Sequence, residues 1–288
     1  MNEQDNIKEL VRQKYSEIAL QEKGINQSSC CGAGGCSTEV YNIMSDDYTE
    51  LEGYNADADL GLGCGLPTQF AKIKKGDVVI DLGSGAGNDA FIARHETGES
   101  GKVIGIDFTP AMIARARQNA EVRGFNNVEF RQGDIEHMPV TANIANVIVS
   151  NCVLNLVPNK DAVIKEIYRT LKPGGHFSIS DIVLEGELPK QIQEAAEMYA
   201  GCVAGAIQKK VYLELIEANG FKNITIQKDK VIIIPDDILS NYLSAEKIEA
   251  FKKSGTGIRS LTVYAEKRPP KSPKGGLEEA CCGPECCK

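Results

Sequence analysis

The chain of 288 residues carries 40 acidic against 32 basic side chains, a formal net charge of −8. That balance excludes a general nucleic-acid binder, which needs a cationic face to displace counterions from phosphates. Hydrophobic residues make up 42% and charged residues 25%. These are the proportions of a globular protein with a sizeable core, and no stretch approaches the roughly 18 apolar residues of a membrane span.

In chain order, Ile7, Leu10, Val11, Tyr15, Ile18 and Leu20 fall on one stripe and predict a helix over 5–22. The first residues are polar and lack the apolar core of a signal peptide, which predicts a cytoplasmic protein with no membrane contact. Two Gly-rich loops follow, SSCCGAGGCST at 28–38 and GLGCGLP at 61–67. From about residue 76, short apolar runs alternate with amphipathic ones: strands at 77–83, 102–108, 128–134, 145–151 and 175–183, helices at 86–97, 110–123 and 160–171. Such alternation predicts an α/β fold, a Rossmann-like, doubly wound and mostly parallel sheet with helices on both faces. Beyond it, 190–219 reads as mostly helical, 223–229 as a strand, 236–253 as a helix and 259–267 as a last strand, a C-terminal α+β addition. RPPKSPKGG at 268–276 has linker composition and ends in the tail ACCGPECCK. The expected organisation is an N-terminal helix with Cys/Gly-rich loops (1–67), a cofactor domain (68–183), a helical segment with the last strands (184–267), and a flexible linker and tail (268–288).

The first strand runs into the glycine loop Asp81-Leu-Gly83-Ser-Gly85-Ala-Gly87. Glycines let the backbone turn tightly and approach a ligand at the carboxyl end of a strand. A dinucleotide fingerprint needs G-x-G-x-x-G, and Asn88 stands where its third glycine belongs, so a nicotinamide cofactor is disfavoured. Asp107 ends the second strand, placed to accept hydrogen bonds from ribose hydroxyls. Gly133-Asp-Ile-Glu136 follows the third strand and offers a polar and an apolar group to an adenine.

Together these elements resemble the class I S-adenosylmethionine-dependent methyltransferases over 68–183, including LKPGGHFSISD at 171–181. The resemblance implies S-adenosylmethionine as methyl donor. By position it assigns Asp81, Gly83 and Gly85 to the methionine and ribose portion and Asp107 to the ribose. Phe108 then packs beside the adenine, and Ile135 and Glu136 hold it.

The ten cysteines are too sparse for a disulfide scaffold, and a reducing compartment keeps thiols reduced. Clustered thiols there point to a metal, a metalloid or redox chemistry. Taken singly, Cys152 after the fourth strand and Cys202 in EMYAGCVAGA read as packing residues, since cysteine is among the most buried residue types. The set GLGCGLP, SNCVLNL and AGCVAGA on this cofactor domain, however, resembles arsenite S-adenosylmethionine methyltransferases over about 28–267. That resemblance implies Cys64, Cys152 and Cys202 as arsenic(III) ligands. It matches Cys36 to a further N-terminal catalytic cysteine, a place for which Cys30 and Cys31 also compete.

The chemistry agrees. Trivalent arsenic is soft and prefers three thiolates, which leave its lone pair free to attack a sulfonium methyl without a histidine base. The partners implied are arsenite and methylated arsenicals, with thioredoxin or a small thiol to reduce a cysteine pair such as Cys36 and Cys64. A monomer is expected. Two other readings remain open: a quinone- or sterol-type methyltransferase on the same fold, and a Cys-rich metalloid- or zinc-binding protein using the terminal clusters.

Overall fold

The computed structural model describes residues 3–20, 46–190, 203, 205–233, 236–240, 242–254 and 256–269. Cys30, Cys31, Cys36, Cys202 and the Cys281–Cys287 tail lie outside them.

Helix α1 spans Glu3–Ala19 and α2 is the single turn Pro67–Phe70. The core alternates β1 Val78–Leu82, α3 Asn88–Thr97, β2 Lys102–Asp107, α4 Pro110–Val122 and β3 Val128–Gln132. It continues through β4 Ala145–Asn151, α5 Lys160–Thr170 and β5 Leu171–Glu185. After the segment outside the described residues come α6 Lys209–Ala218, β6 Lys222–Ile232, α7 Asp236–Leu239, α8 Ala245–Lys253 and β7 Gly257–Glu266.

The seven strands lie in the order β3-β2-β1-β4-β5-β7-β6. The first five pair in parallel, and β7 inserts antiparallel between β5 and β6. The α/β, doubly wound and mostly parallel fold expected from the sequence is therefore present, and the two C-terminal strands extend the same sheet. Successive side chains of a strand point to opposite faces. Accordingly Val79, Val103, Val147 and Val149 pack with α3, α4 and Ile18 of α1, while Ile80, Leu82, Ile104 and Ile148 pack with α5 and α6. The chain leaves β1 toward β2 on one side and returns to β4 on the other, so a crevice opens at the carboxyl ends of β1 and β4.

The structure corrects the sequence reading at three places. The predicted helix 236–253 is two helices, because the chain turns at Ser240 and Tyr242, whose N–H donates to Leu239 O, and Ser244 enters α8 from an extended conformation. Strand β5 exceeds 175–183 at both ends: Leu171 pairs with Ala145 of β4 at its start, and ten residues of β7, from Glu266 opposite His176 to Gly257 opposite Glu185, carry it on to Glu185. The N-terminal helix starts at Glu3 and ends at Ala19, short of 22. Among the described residues no helix is long and apolar enough to cross a membrane.

Candidate active site

A cleft opens at that crevice. Its floor is the loop after β1, where Gly83, Gly85 and Gly87 take φ of 63°, 51° and 102°. That left-handed region is open to glycine and strained for other residues. Gly83 is also required by packing: a Cβ there would sit 2.4 Å from Val153 Cγ2, so the loop lies directly against the segment that follows β4.

Three carboxylates converge around this loop, and all line the cleft. Asp81 is buried, and burial together with the charges of Asp89 and Asp107 holds its carboxyl well above the usual range. Asp89, in the first turn of α3, is raised to about 6 by burial, against the opposing hydrogen bonds of Tyr48, Asn151 and Thr68. Asp107 is raised by burial, although its Oδ2 accepts from Gly85 N at 3.0 Å and its Oδ1 from Thr109 N at 2.8 Å. Asp107 thus braces the glycine loop, and each oxygen keeps a second lone pair for a ligand hydroxyl.

Buried Asp81 Oδ2, Ser84 Oγ and Asn88 Oδ1 have no hydrogen-bond partner and belong to residues of this cleft. Buried polar atoms are rarely left unmade, so the cleft is shaped for a ligand with polar groups of its own. Its acidity selects the kind. A pyrophosphate would meet three carboxylates at close range, whereas a ligand carrying ammonium and sulfonium charge would relieve their mutual repulsion.

The far end of the cleft lies over β3. Asp134 and Ile135 line it. Glu136 is buried but faces elsewhere: its Oε1 accepts from Asn159 N at 2.7 Å and its Oε2 is ion-paired with Lys8. Lys8 also reaches Asp134 Oδ2 at 2.6 Å, and with Tyr15 brings α1 to the cleft wall. Of the residues expected at the adenine, Ile135 and Phe108 line the cleft. Glu136 ties α1 and the start of α5 to this wall.

The opposite wall carries the thiols. Cys152 is buried, lines the cleft and has φ 61°, a costly conformation for a residue with a Cβ. It is held there by its backbone N–H, which donates to Ser180 O at 2.8 Å across β4 and β5. Cys64 is fully buried, next to the cleft-lining Gly63. Both flanking glycines are sterically required: a Cβ on Gly63 would lie 2.6 Å from Asn151 Nδ2, and one on Gly65 would lie 2.5 Å from Ser180 Oγ. The G-C-G sequence thereby lets the loop sink between β4 and β5. Ser260 of β7 donates to Cys64 O and completes the seat.

Cys64 and Cys152 share one apolar cluster with Leu156, Ile182, Leu184 and Val203, the residue after Cys202 in sequence. One buried group, Tyr212, lies within electrostatic reach of both thiols, and Asp181 lies within reach of Tyr212. The Tyr212 phenol is pushed well above its ordinary range by burial and then by the charges of Asp181, Cys64 and Cys152. Asp181 is raised to about 7 by burial, which Lys160 and nearby backbone N–H groups only partly offset. Among the described residues no three His, Cys, Asp or Glu side chains are grouped closely enough to hold a metal ion.

Sequence reading did not anticipate Tyr48, Asp89, Asn151 or Lys8. Asn151 adjoins Cys152 and Asp89 adjoins the glycine loop, so adjacency to a motif was the available signal. Lys8 and Tyr48 carry none.

A methyltransferase-domain family profile matches residues 73–220, about half of the chain. The chain is 39% identical over 276 residues to an arsenite methyltransferase of Halobacterium salinarum, covering 91% of this chain and 67% of that protein. It is 32% identical over 219 residues to a demethylmenaquinone methyltransferase of Lactobacillus johnsonii, covering 66% of this chain and 87% of that protein. Among solved structures, the arsenic(III) S-adenosylmethionine methyltransferase of Chlamydomonas reinhardtii superposes with a TM-score of 0.62 at 30% identity, covering 80% of this chain and 74% of that one.

The strand order, the glycine loop and the profile define a methyltransferase. The higher identity over nearly the whole chain decides within that class, since the quinone enzyme matches a shorter part. The chain belongs to the arsenite methyltransferase family.

Proposed function

We propose that this enzyme transfers the methyl group of S-adenosylmethionine to trivalent arsenic held by cysteine thiolates. The observation that carries the reading is the placement of two buried thiols, Cys64 and Cys152, in one apolar cluster, with Cys152 lining the cleft that the acidic glycine loop floors. A quinone or sterol acceptor makes no use of such a pair.

The donor supplies an electrophilic methyl on a sulfonium. The chain's residues account for the rest. Asp81, Asp89 and Asp107 favour a cationic donor over an anionic one, and Asp107 with Gly85 and Thr109 fixes the loop beneath it. Ile135 and Phe108 offer apolar surface to the adenine, and Lys8 steadies Asp134 at the same end. Cys64, Cys152 and Cys202 are the arsenic ligands in this reading. It gains support from Val203, buried in the thiol cluster immediately after Cys202. The apolar surround excludes water from the thiolates, and fixed loops orient the arsenic lone pair for in-line attack.

Attack turns the lone pair into an As–C bond while the sulfonium S–C bond breaks and leaves a thioether. A free thiolate then attacks the sulfur of one arsenic-bound cysteine; an S–S bond forms, the As–S bond breaks, and its electron pair stays on arsenic, which returns to the trivalent state. Cys36 and Cys64 are our candidates for that pair, with thioredoxin or a small thiol as the reductant that restores it. Cytoplasmic location and a monomeric state complete the proposal.

The test is incubation with arsenite, a thiol and methyl-labelled S-adenosylmethionine, with chromatographic separation of the products. Labelled methylarsenicals are expected. A folded chain that binds the donor and transfers no label to arsenic refutes the reading.

A further inference from the structure

We propose that Asn151 is the positioning residue of the thiol pair: its carboxamide grips the backbone on both sides of the Cys64 side chain, its own peptide leads into Cys152, and Tyr48 and Asp89 anchor that grip to the helix that follows the cofactor loop. The proposal rests on the arsenical reading of the thiols and adds to it the device that sets their separation.

The hydrogen bonds permit one consistent assignment. Asn151 Oδ1 accepts from Cys64 N at 3.0 Å. Asn151 Nδ2 has two protons, and it donates one to Gly65 O at 2.8 Å and the other to the Tyr48 hydroxyl oxygen. The Tyr48 hydroxyl lies 3.0 Å from Gly65 O and 2.9 Å from Asp89 Oδ2. Gly65 O is already served by Asn151, and Asp89 Oδ2 is the carboxylate and the nearer acceptor, so the Tyr48 proton goes to Asp89; Asn151 Nδ2 itself lies 3.3 Å from the same oxygen. Thr68 Oγ1 approaches the other oxygen, Asp89 Oδ1, at 3.4 Å. Each donor in this chain has an acceptor, and each acceptor faces a donor.

The carboxamide therefore binds the N–H of Cys64 and the carbonyl of the next residue, a two-point hold on the peptide units bracketing the thiol. One peptide bond away, just past the end of β4, stands Cys152, itself locked at φ 61° by Ser180 O. A ligand bridging two thiols tolerates little error in their separation, and a misplacement of about 1 Å can cost on the order of a hundredfold in rate. No smaller side chain spans the gap from β4 to the loop. Aspartate in its place would lose both donors and face Asp89. Gly63 belongs to the same device, since any Cβ there would strike the Asn151 amide.

The experiment uses the full chain and two probes: phenylarsine oxide, which closes over a pair of thiols, and S-adenosylhomocysteine, which reports the cofactor side. In Asn151→Ala, phenylarsine oxide affinity is expected to fall about tenfold, the worth of one to two hydrogen bonds. The S-adenosylhomocysteine affinity should stay within about twofold, because the braces of Asp107 are untouched. In turnover the loss should appear in kcat for methyl transfer, with KM for the donor little changed.

Tyr48→Phe keeps the ring and removes the hydroxyl that accepts from Asn151 and donates to Asp89. It is expected to lose about threefold in phenylarsine oxide affinity, and it decides the matter if Asn151→Ala does not fold. Wild-type affinity for phenylarsine oxide in the folded variants overturns the positioning role alone. A wild-type chain that takes up no phenylarsine oxide at Cys64 and Cys152 overturns the arsenical reading beneath it.

Discussion

The two walls of the cleft are built by opposite strategies. The cofactor wall comes from residues close in sequence: Asp81 to Asp89 are one strand end, one loop and one helix start. Their chemistry is largely backbone, with carboxylates bracing N–H groups around glycines. The thiol wall gathers residues from the loop before β1, the end of β4, the end of β5 and β7, and each thiol is held by a partner far away in sequence. Asn151 reaches Cys64 across 87 positions and Ser260 across 196. The first wall is specified locally and is shared by a broad class of enzymes. The second exists only when the sheet has formed, and it is where our proposal puts the acceptor chemistry.

If the walls are separate devices, substitutions should divide between them. The largest effect is expected for Cys152→Ser. Serine is nearly isosteric but a hard, protonated ligand, so the chain should fold and bind donor normally. Methyl transfer to both arsenite and a monomethylated arsenical should fall by ~100-fold or more. Cys64→Ser should lose the first methylation and keep part of the second, because an arsenical that already carries one carbon needs only two thiolates. Assays of both substrates, with circular dichroism as the check on folding, read this out. Cys152→Ser that handles the monomethylated substrate normally removes Cys152 from the core pair.

Next in size is a pH effect that tells the walls apart in the absence of turnover. Burial raises Asp181 to about 7 and Asp89 to about 6, while in the unfolded chain both titrate near 3.9. The folded state therefore keeps protons that the unfolded state has released between these limits. Stability from these groups is complete below about pH 4 and is lost as pH rises through 6 and 7. Melting temperature should drop between pH 5 and pH 8, by an amount on the order of a few kcal/mol in unfolding free energy. Asp181→Asn cannot ionise, so it should flatten this slope and be the more stable protein at pH 8. A bound cationic donor should relieve the carboxylates of the cofactor wall and leave the share of Asp181 in place. A wild-type melting curve independent of pH over this range contradicts the raised carboxyls.

What the sequence disclosed follows the same division. The parallel sheet and its helices were legible because strand and helix periodicities alternate cleanly from Val78 to Thr170. The loop DLGSGAG and Asp107 were legible because their function depends on neighbours in sequence. The G-C-G around Cys64 signalled a close approach without saying to what, and only the pairing of β4 with β5 supplies Asn151 and Ser180 as the answer. Glu136 was expected at the adenine from its place after β3. Its partners, Lys8 on α1 and the N–H of Asn159, come from elements whose docking no local pattern encodes. The break between α7 and α8 and the long β5 escaped for a related reason, since sheet register and the separation of two short helices are tertiary outcomes.

On the cofactor wall, Asp107→Ala sharpens the comparison. It removes the acceptor for Gly85 N and Thr109 N and, in our reading, the hydrogen-bonding site for the ribose. Donor affinity should weaken by about 1.5–3 kcal/mol, the scale of a charge-assisted hydrogen-bond site. Phenylarsine oxide affinity should be nearly unchanged, as the thiols share no partner with Asp107. Calorimetric titration with each ligand gives both numbers, and unaltered donor affinity removes Asp107 from the site.

The smallest effect tests whether α1 belongs to the cofactor wall or merely covers it. Lys8 joins α1 to Asp134 and Glu136, and Asp134 and Ile135 line the end of the cleft to which our proposal assigns the adenine. Its side chain is about one third exposed, at 31%, so water and salt screen the pair, and its worth is well below that of a buried bond. Lys8→Ala should weaken S-adenosylhomocysteine binding by about 0.5–1 kcal/mol. The wild-type affinity should drift toward that of the variant as ionic strength rises, because a shorter Debye length removes the same attraction. Packing of Val11 and Ile18 into the two clusters beside the cleft keeps the helix docked in either case, so melting temperature should hardly move. A variant whose affinity and salt dependence both match the wild type assigns α1 to the cover, and one that loses affinity with an unchanged melting temperature assigns Lys8 to the wall itself.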